Sequence, residues 1–360
     1  MKKNHLILGL IVLIAMVALG VYAQHRYPFH WGTLWAQLKA ADWVRIAIGA
    51  GCIYLAYCFR SVRWAILLRH NKKVSLFGLL GTQVIGFTAV ALIGRVADPV
   101  RPYLVSKRTG LPLSSQLAVY VVERLFDLGS TALIFSSVIL FTVWYGQPGA
   151  LPHPEIVKKA GYWGMGLTLA GALFLVAVRI SGGLVASFLE RSLGILSKKL
   201  GQAVGDKVRG FRAGLDTIRT LGDFAAVTGL SLGMWMVIAF AYLETTRAFV
   251  ASPPLAAMTW PKCMLLLAFS GGASVFQLPV IGWFWQVGAV AAALTAFYGA
   301  TPEAATACAA TILLVTFLSI VPVGLIWAQF EHVSLRKITA ESEHASEELG
   351  EQAPAEKAAV

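Results

Sequence analysis

The chain reads as an all-α polytopic membrane protein with six to eight transmembrane helices, two re-entrant or broken helix hairpins and an inverted repeat. Three observations lead there. Of its 360 residues, 57% are hydrophobic and only 13% charged, with a mean hydropathy of +0.69, more apolar surface than a soluble chain can hide. Several apolar runs reach the roughly 18–20 residues that cross a hydrocarbon core, and none shows the alternating ten-residue segments of a β-barrel. Two further apolar stretches are interrupted by Gly and Pro in corresponding places of the two halves, a pattern that points to a transporter-type site at a repeat interface.

Taken in order, Lys2 and Lys3 precede an apolar run over residues 5–23. It is longer than the 7–15-residue core of a signal peptide, so it reads as a retained first helix, although Val21-Tyr22-Ala23 is an acceptable cleavage site. Residues 24–42 carry Trp31, Leu34, Trp35 and Leu38 at helical spacing, with Trp43 following, an amphipathic segment suited to the interface. The second span covers residues 43–68, and Arg60, Arg63, Arg69, Lys72 and Lys73 mark its cytoplasmic end. Residues 74–93 resemble a third crossing, yet residues 94–110 hold four bases, Pro99 and Pro102 and few acids, which favours the same side. A segment that begins and ends on one side must turn back within the membrane, here with a break near Gly94–Pro99.

A long helix over residues 113–144 then crosses outward, followed by a Gly- and Pro-rich outer loop to residue 159 and a return span over 160–178. Residues 179–223 have an apolar period near 3.6 and many bases, which predicts an amphipathic linker between the halves, resting on the inner leaflet. Residues 224–248 cross outward. Residues 258–278 and 281–298 form the arms of a second hairpin around Pro279 and Gly282, entered from outside, and residues 304–330 cross inward towards Arg336 and Lys337. A single transmembrane domain thus covers residues 1–338, and residues 339–360 form a disordered acidic tail. Both termini are expected in the cytoplasm of a bacterial-type inner membrane.

Net charge is +12, but residues 341–360 hold six acids and one Lys, leaving 29 bases against 12 acids elsewhere. Positive-inside bias accounts for that excess without a nucleic-acid partner, and anionic lipid headgroups are its natural counterpart. Cys52, Cys58, Cys263 and Cys308 lie scattered in apolar runs with no metal-ligand spacing. All seven histidines fall at span ends or in loops, so neither a metal nor a cofactor is expected.

Three constellations carry the chemistry. The first is Gly94-Arg95-Val96-Ala97-Asp98-Pro99-Val100-Arg101-Pro102, where Gly94 and Pro99 break the helix, Asp98 and Arg101 stand three apart, and Arg101 offers a planar fork to a phosphate. The second is Glu123-Arg124-x-x-Asp127, with both acids on one helical face. An ionisable group at the bilayer centre costs about 2.5–3.5 kcal/mol on insertion scales, so it persists only when paired or working. Such a cluster serves equally as a structural lock between helices. The third runs from Phe269-Ser270-Gly271-Gly272 to Gln286: the glycines allow close helix contact, Pro279 and Gly282 open the backbone, and Gln277 and Gln286 offer neutral hydrogen bonds. Trp283 and Trp285 read as interfacial anchors.

These segments resemble a family of flippase-like membrane proteins that includes the transmembrane region of lysylphosphatidylglycerol synthases. The family pattern has a Gly-Arg-x-Gly-Glu-x-x-Arg-type segment, a helix with Glu-Arg-x-x-Asp, and a Pro-Gly-Gly-x-Gly-x-x-Glu-type hairpin. Gly94, Arg95 and Arg101 match the first, with Ala97 for Gly and Asp98 for Glu, and Glu123, Arg124 and Asp127 match the second in full. In the third, Pro279 and Gly282 remain, but Gln286 stands where an acid is expected, and no base occupies residues 313–317. The resemblance covers roughly residues 1–335. It implies a protein that moves or handles a lipid; with no aminoacyl-transferase domain after the last span, lysyl transfer is not expected.

The expected function is therefore a flippase-like protein that passes an anionic or polyprenyl-linked lipid through a polar intramembrane cavity, without enzymatic activity. The cavity residues would be Arg95, Asp98, Arg101, Glu123, Arg124, Asp127, Gln277 and Gln286. The alternatives are a membrane-embedded transferase or phosphatase using Glu123 and Asp127 as acid and base, or a partner subunit of a lipid-modifying enzyme.

Overall fold

The computed structural model describes residues 29–146, 154–194, 218, 220–274, 281–334, 337, 340 and 341. The expected first helix, most of the linker (residues 195–217 and 219), the turn at 275–280 with Gln277 and Pro279, and nearly all of the acidic tail lie outside these residues. The described chain is helical, and no strand occurs in it. In order it forms α1 (Trp31–Lys39), α2 (Trp43–Leu68), α3 (Leu76–Ile93), a 3₁₀ turn (Arg95–Ala97), α4 (Val100–Thr109), α5 (Leu113–Tyr145) and α6 (Pro154–Gly194). There follow α7 (Leu221–Arg247), α8 (Pro253–Ala256), α9 (Trp260–Ala273), α10 (Ile281–Tyr298), α11 (Pro302–Leu313), a π-helical turn (Leu314–Leu318) and α12 (Ile320–Phe330).

Local chemistry sets the boundaries. Asp42 caps α2 by accepting from the Val44 and Arg45 amides. Thr220 and Asp223 form a capping box at the start of α7. Thr301 caps α11, with Pro302 at its first turn. Among the described residues, five helical stretches are long and apolar enough to cross a membrane: α2, α3, α5, α7 and residues 302–330. One boundary departs from expectation: α6 is continuous from Pro154 to Gly194, where an outer loop to 159 and a linker from 179 were expected. Proline is tolerated in a first helical turn, and Glu155 beside it suits the positive helix end.

Two antiparallel hairpins organise the middle of the molecule. α3 ends at Gly94, whose φ of 90° is the positive angle glycine adopts freely. The 3₁₀ turn then reverses the chain, and α4 runs back along α3, with the Arg108 guanidinium donating to the Gly78 carbonyl near the base. With 18 residues α3 is about 27 Å long, so the tip of this first hairpin reaches far across a hydrocarbon core of about 30 Å. In the second hairpin, the Tyr298 hydroxyl donates to the Lys262 carbonyl at 2.9 Å, closing the base between α9 and α10 and leaving the tip beyond Ser274.

The two hairpins enter from opposite sides. α11 begins just after the base of the second, and α12 ends at the base of the first, where Arg108 meets Glu331 at 2.6 Å. The same inversion relates the halves. α2, the first hairpin and α5 run in directions opposite to α7, the second hairpin and α11–α12, as an inverted-topology repeat requires. α2 and α7 form the antiparallel centre, tied at one end by Arg45–Glu244 (2.7 Å) and at the other by Asp223 with His70 (2.9 Å) and Arg69. The largest apolar core lies around them, with Ile53, Met264, Leu294, Cys308 and Ile312 fully or nearly buried. Phe141, Leu167, Trp163 and Phe330 stay exposed, as side chains facing acyl chains do. α1 presents Trp31 and Trp35 outward, as expected of an interfacial helix.

Candidate functional site

The second span and α5 converge on a buried ion cluster. Arg63 donates through Nη1 to Asp127 Oδ1 at 2.6 Å and to Ser231 Oγ at 2.7 Å, and through Nη2 to Glu123 Oε1 at 2.7 Å. Arg60 reaches Asp127 Oδ2 at 3.1 Å and Glu123 Oε1 at 3.4 Å. Arg101 reaches Gln83 Oε1 at 2.9 Å and Glu123 Oε2 at 3.3 Å, and Arg124 lies 3.6 Å from Asp127. Glu123 is 15 Å or so along α5 from Leu113 by helical rise, about half the depth of a hydrocarbon core.

Four guanidinium groups thus share two carboxylates, and guanidinium does not deprotonate in proteins. Aromatic rings pack against these charges. The Phe87 ring centre is 5.0 Å from the Arg60 guanidinium and 4.5 Å from that of Arg101, and the Tyr120 ring centre is 5.0 Å from both Arg101 and Arg124. Gly86 makes room for this, because a Cβ there would fall within the Arg101 side chain. Arg95 and Asp98, at the first hairpin tip, form a looser pair of their own at 3.8 Å. Counting them, the described residues of the region carry two more positive charges than negative.

Beside the cluster lies a cavity of about 490 Å³ between the two hairpins, bounded by α2, α5 and α7. Its charged wall is made by Arg60, Arg95, Arg124 and Asp127, and its neutral wall by Tyr242, Ser270, Ser274, Gln286 and Thr316. Arg95 bridges the hairpin tips, donating from Nε to the Ser274 carbonyl at 2.7 Å and from Nη2 to Ser274 Oγ at 3.0 Å. Next to it runs an apolar groove of about 610 Å³ lined by Phe135, Leu265, Phe269, Trp285 and Phe297, which shares Ala268 and Gly272 with the cavity.

Of the residues singled out from sequence, Arg95, Arg124, Asp127 and Gln286 line this cavity, while Arg101 and Glu123 are fully buried behind it. Arg101 does not pair with Asp98 as the three-residue spacing allowed. The 3₁₀ turn carries Asp98 to Arg95, while α4 carries Arg101 to Glu123. Gly94 and Pro99 flank the reversal at the first tip, and Gly282 falls in the first turn of α10. Gly271 and Gly272 serve no close helix contact; each faces open space and both line the cavity, since a small residue there leaves volume free. Trp285, expected as an interfacial anchor, sits near the deep second tip and lines the apolar groove.

Sequence reasoning missed Arg60, Arg63 and Gln83, and took the two arginines for surface markers of a cytoplasmic end. Their spacing of three puts them on one face, and they lie eight and five residues inside Leu68, too deep for headgroup level. Among the described residues, no group of three or more His, Cys, Asp or Glu could hold a metal.

Two opposed helical hairpins that meet at a cavity with four charged residues in its wall belong to an all-α polytopic membrane domain. Residues 6–324 match the family model described as the lysylphosphatidylglycerol synthase TM region, and the chain belongs to that family. No curated protein and no solved structure matches it.

Proposed function

We propose that this protein carries an anionic lipid across the membrane by holding its headgroup in the cavity between the hairpins. The observation that bears the reading is the surplus of two positive charges around that cavity. Each uncompensated charge at mid-bilayer costs about 2.5–3.5 kcal/mol on insertion scales, and a phosphate entering the cavity supplies the missing counter-charge. Arg124 and Arg95 are the available groups: they are the loosest paired and the most exposed of the set, with 33% and 41% of their side chains open. The adjoining apolar groove suits an acyl or prenyl chain, so headgroup and tail each meet matching chemistry. Charged and hydrogen-bonding side chains in the cavity wall, Arg60, Arg95, Arg124 and Ser274 among them, lower the desolvation cost that slows unaided crossing of a headgroup.

The basic side of the fold, with Arg69, Lys72, Lys107 and Arg108, is cytoplasmic on this reading, in a bacterial-type inner membrane. The lipid-modifying enzyme alternative is disfavoured by geometry, because Glu123 does not reach the cavity and both oxygens of Asp127 are committed to guanidinium groups. The test is headgroup accessibility in proteoliposomes with a labelled phosphatidylglycerol. Wild-type protein accelerates exchange between leaflets, and Arg124→Ala slows it at least about tenfold while keeping its thermal midpoint. Exchange no faster than in empty vesicles, or equal rates for both proteins, overturns the proposal.

A further inference from the structure

Past α12 the chain turns back on the fold. His332 has a φ of 54°, the only positive value at a non-glycine residue among the described residues. The Val333 amide donates to the Ala328 carbonyl at 2.8 Å and the His332 amide to the Gln329 carbonyl at 3.1 Å, the paired bonds of a Schellman turn. Glycine is usual at the left-handed position, because a Cβ there is strained. Val333 packs into the cluster that holds Leu104 and Ala328, so the reversal is anchored on α4. It directs the chain towards that helix, where Lys337 and Glu341 join Lys107 and Arg108 around a pocket of about 360 Å³.

Glu341 completes this pocket. Arg108 is already matched by Glu331 at 2.6 Å, and it also donates to the Gly78 carbonyl and Thr82 Oγ1 of α3. Lys107 and Lys337 share one acid: Glu341, at 2.9 and 3.9 Å, is the only carboxylate paired with either among the described residues. The Tyr103 hydroxyl donates to the same Glu341 oxygen as Lys107, at 2.8 Å. Glu341 is also the first of six acids between residues 341 and 360. Charge, a hydroxyl donor and a built turn agree on the chain's own carboxylate as the occupant.

We propose that the chain after α12 is a releasable strap: Glu341 seats its carboxylate in this pocket and holds α4, the returning arm of the first hairpin, against the end of α12. A fully buried pair would make a permanent lock. Here 57% of the Lys107 side chain and 32% of Glu341 are open, and an ion pair that water reaches opens easily. The arm held in this way follows directly on the tip that carries Arg95 and Asp98. On the lipid-carrying reading above, the strap restrains a hairpin that lines the cavity, and this consequence rests on that reading.

The experiment uses the full chain in phosphatidylcholine nanodiscs, with zero-length carbodiimide cross-linking read by mass spectrometry and with amide hydrogen exchange. A Lys107–Glu341 cross-link should form and should persist when phosphatidylglycerol is added to the nanodiscs. In Glu341→Gln it should vanish, and the amides of α4 should exchange about two- to fivefold faster, the range open to an exposed ion pair. Tyr103→Phe, which deletes one donor to the same oxygen, should move α4 exchange the same way. In proteoliposomes, Glu341→Gln should speed headgroup exchange by a similar factor. Absence of the cross-link in wild type, or unchanged α4 exchange in Glu341→Gln, overturns the strap. Loss of the cross-link on adding phosphatidylglycerol assigns the basic pocket to the membrane surface and overturns it equally. Unchanged headgroup exchange in Glu341→Gln overturns the restraint. Wild-type headgroup exchange no faster than in empty vesicles sinks the lipid-carrying reading alone, and the cross-link and the α4 amides still decide the strap.

Discussion

Replacing Arg63 with alanine is the sharpest test of the buried ion cluster. Arg63 is 1% exposed and makes three of the shortest side-chain contacts in the molecule, to Asp127, Glu123 and Ser231. Removing one member of a buried ion pair costs about 3–5 kcal/mol, because a charge is left without compensation. Arg60, Arg101 and Arg124 stay within 3.1–3.6 Å of the two acids and absorb part of this, so the lower end, about 3 kcal/mol, is expected. With about 2.1 cal/mol/K of unfolding entropy per residue, a 360-residue chain shifts by about 1.3 °C per kcal/mol. The thermal midpoint of Arg63→Ala in detergent should therefore fall by about 4 °C. The control is Lys107→Ala, whose pair with Glu341 is exposed; an exposed pair contributes about 0–1 kcal/mol, so its midpoint moves by about 1 °C at most. The double variant Arg63→Ala with Glu123→Gln should recover part of the loss, because it removes a carboxylate that lost its best partner. An Arg63→Ala midpoint no lower than that of Lys107→Ala refutes the reasoning, and the cluster then contributes shape without stability.

Two further outcomes follow from packing and from titration. Gly86→Ala drives a methyl into the Arg101 side chain, an overpacking cost of about 1–3 kcal/mol, whereas Gly271→Ala meets open cavity space; only the first should lower the thermal midpoint. At the edge of the fold, Tyr103 and Lys107 donate to Glu341 Oε2 at 2.8 and 2.9 Å and hold that carboxyl below its ordinary range. A lowered folded-state pKa means the contact is complete above the ordinary glutamate value of about 4.3 and is lost as pH falls through the lowered one. Limited proteolysis near residue 341 should accelerate on acidification below about pH 4, and Glu341→Gln should remove that dependence.

Much of this architecture was legible because hydrophobic run length and helix breakers act locally. The re-entrant turn follows from Gly94 with four bases after it, and Glu123-Arg124-x-x-Asp127 announces buried charge by standing in an apolar run. The partners of those acids were harder to see. Arg60 and Arg63 sit near a basic helix end, where positive-inside bias and a buried ion cluster call for the same residue type. Only depth separates the two, and depth is a property of where neighbouring helices stand. The fate of Arg101 was equally hidden: its spacing from Asp98 permits a pair, and what decides against it is the direction in which α4 leaves the tip. Local spacing lists the available partners, and tertiary packing chooses among them.

The arginines divide into two groups by what surrounds them. Arg63 and Arg101 are sealed, Arg63 held by Asp127 and Glu123 and Arg101 by Glu123 and Gln83 against the rings of Phe87 and Tyr120, and their effect on the cavity is to fix where the acids stand. Arg60, Arg95 and Arg124 reach the cavity wall, Arg95 and Arg124 with the longest pairings of the set, 3.8 and 3.6 Å. If all the cations were paired one to one, the cavity would be neutral and would have no preference for a charged headgroup. If none were, the cluster could not persist at this depth. Sharing two acids among four bases meets both conditions: the sealed pairs supply the stability, and the remainder supplies a field. The inverted halves repeat the backbone without repeating this charge, since the second half contributes Tyr242 from α7 and Ser270 and Gln286 from the second hairpin to the cavity lining. On the proposed reading, the first half therefore meets a headgroup with charge, and Arg95 ties that half to Ser274 of the second hairpin.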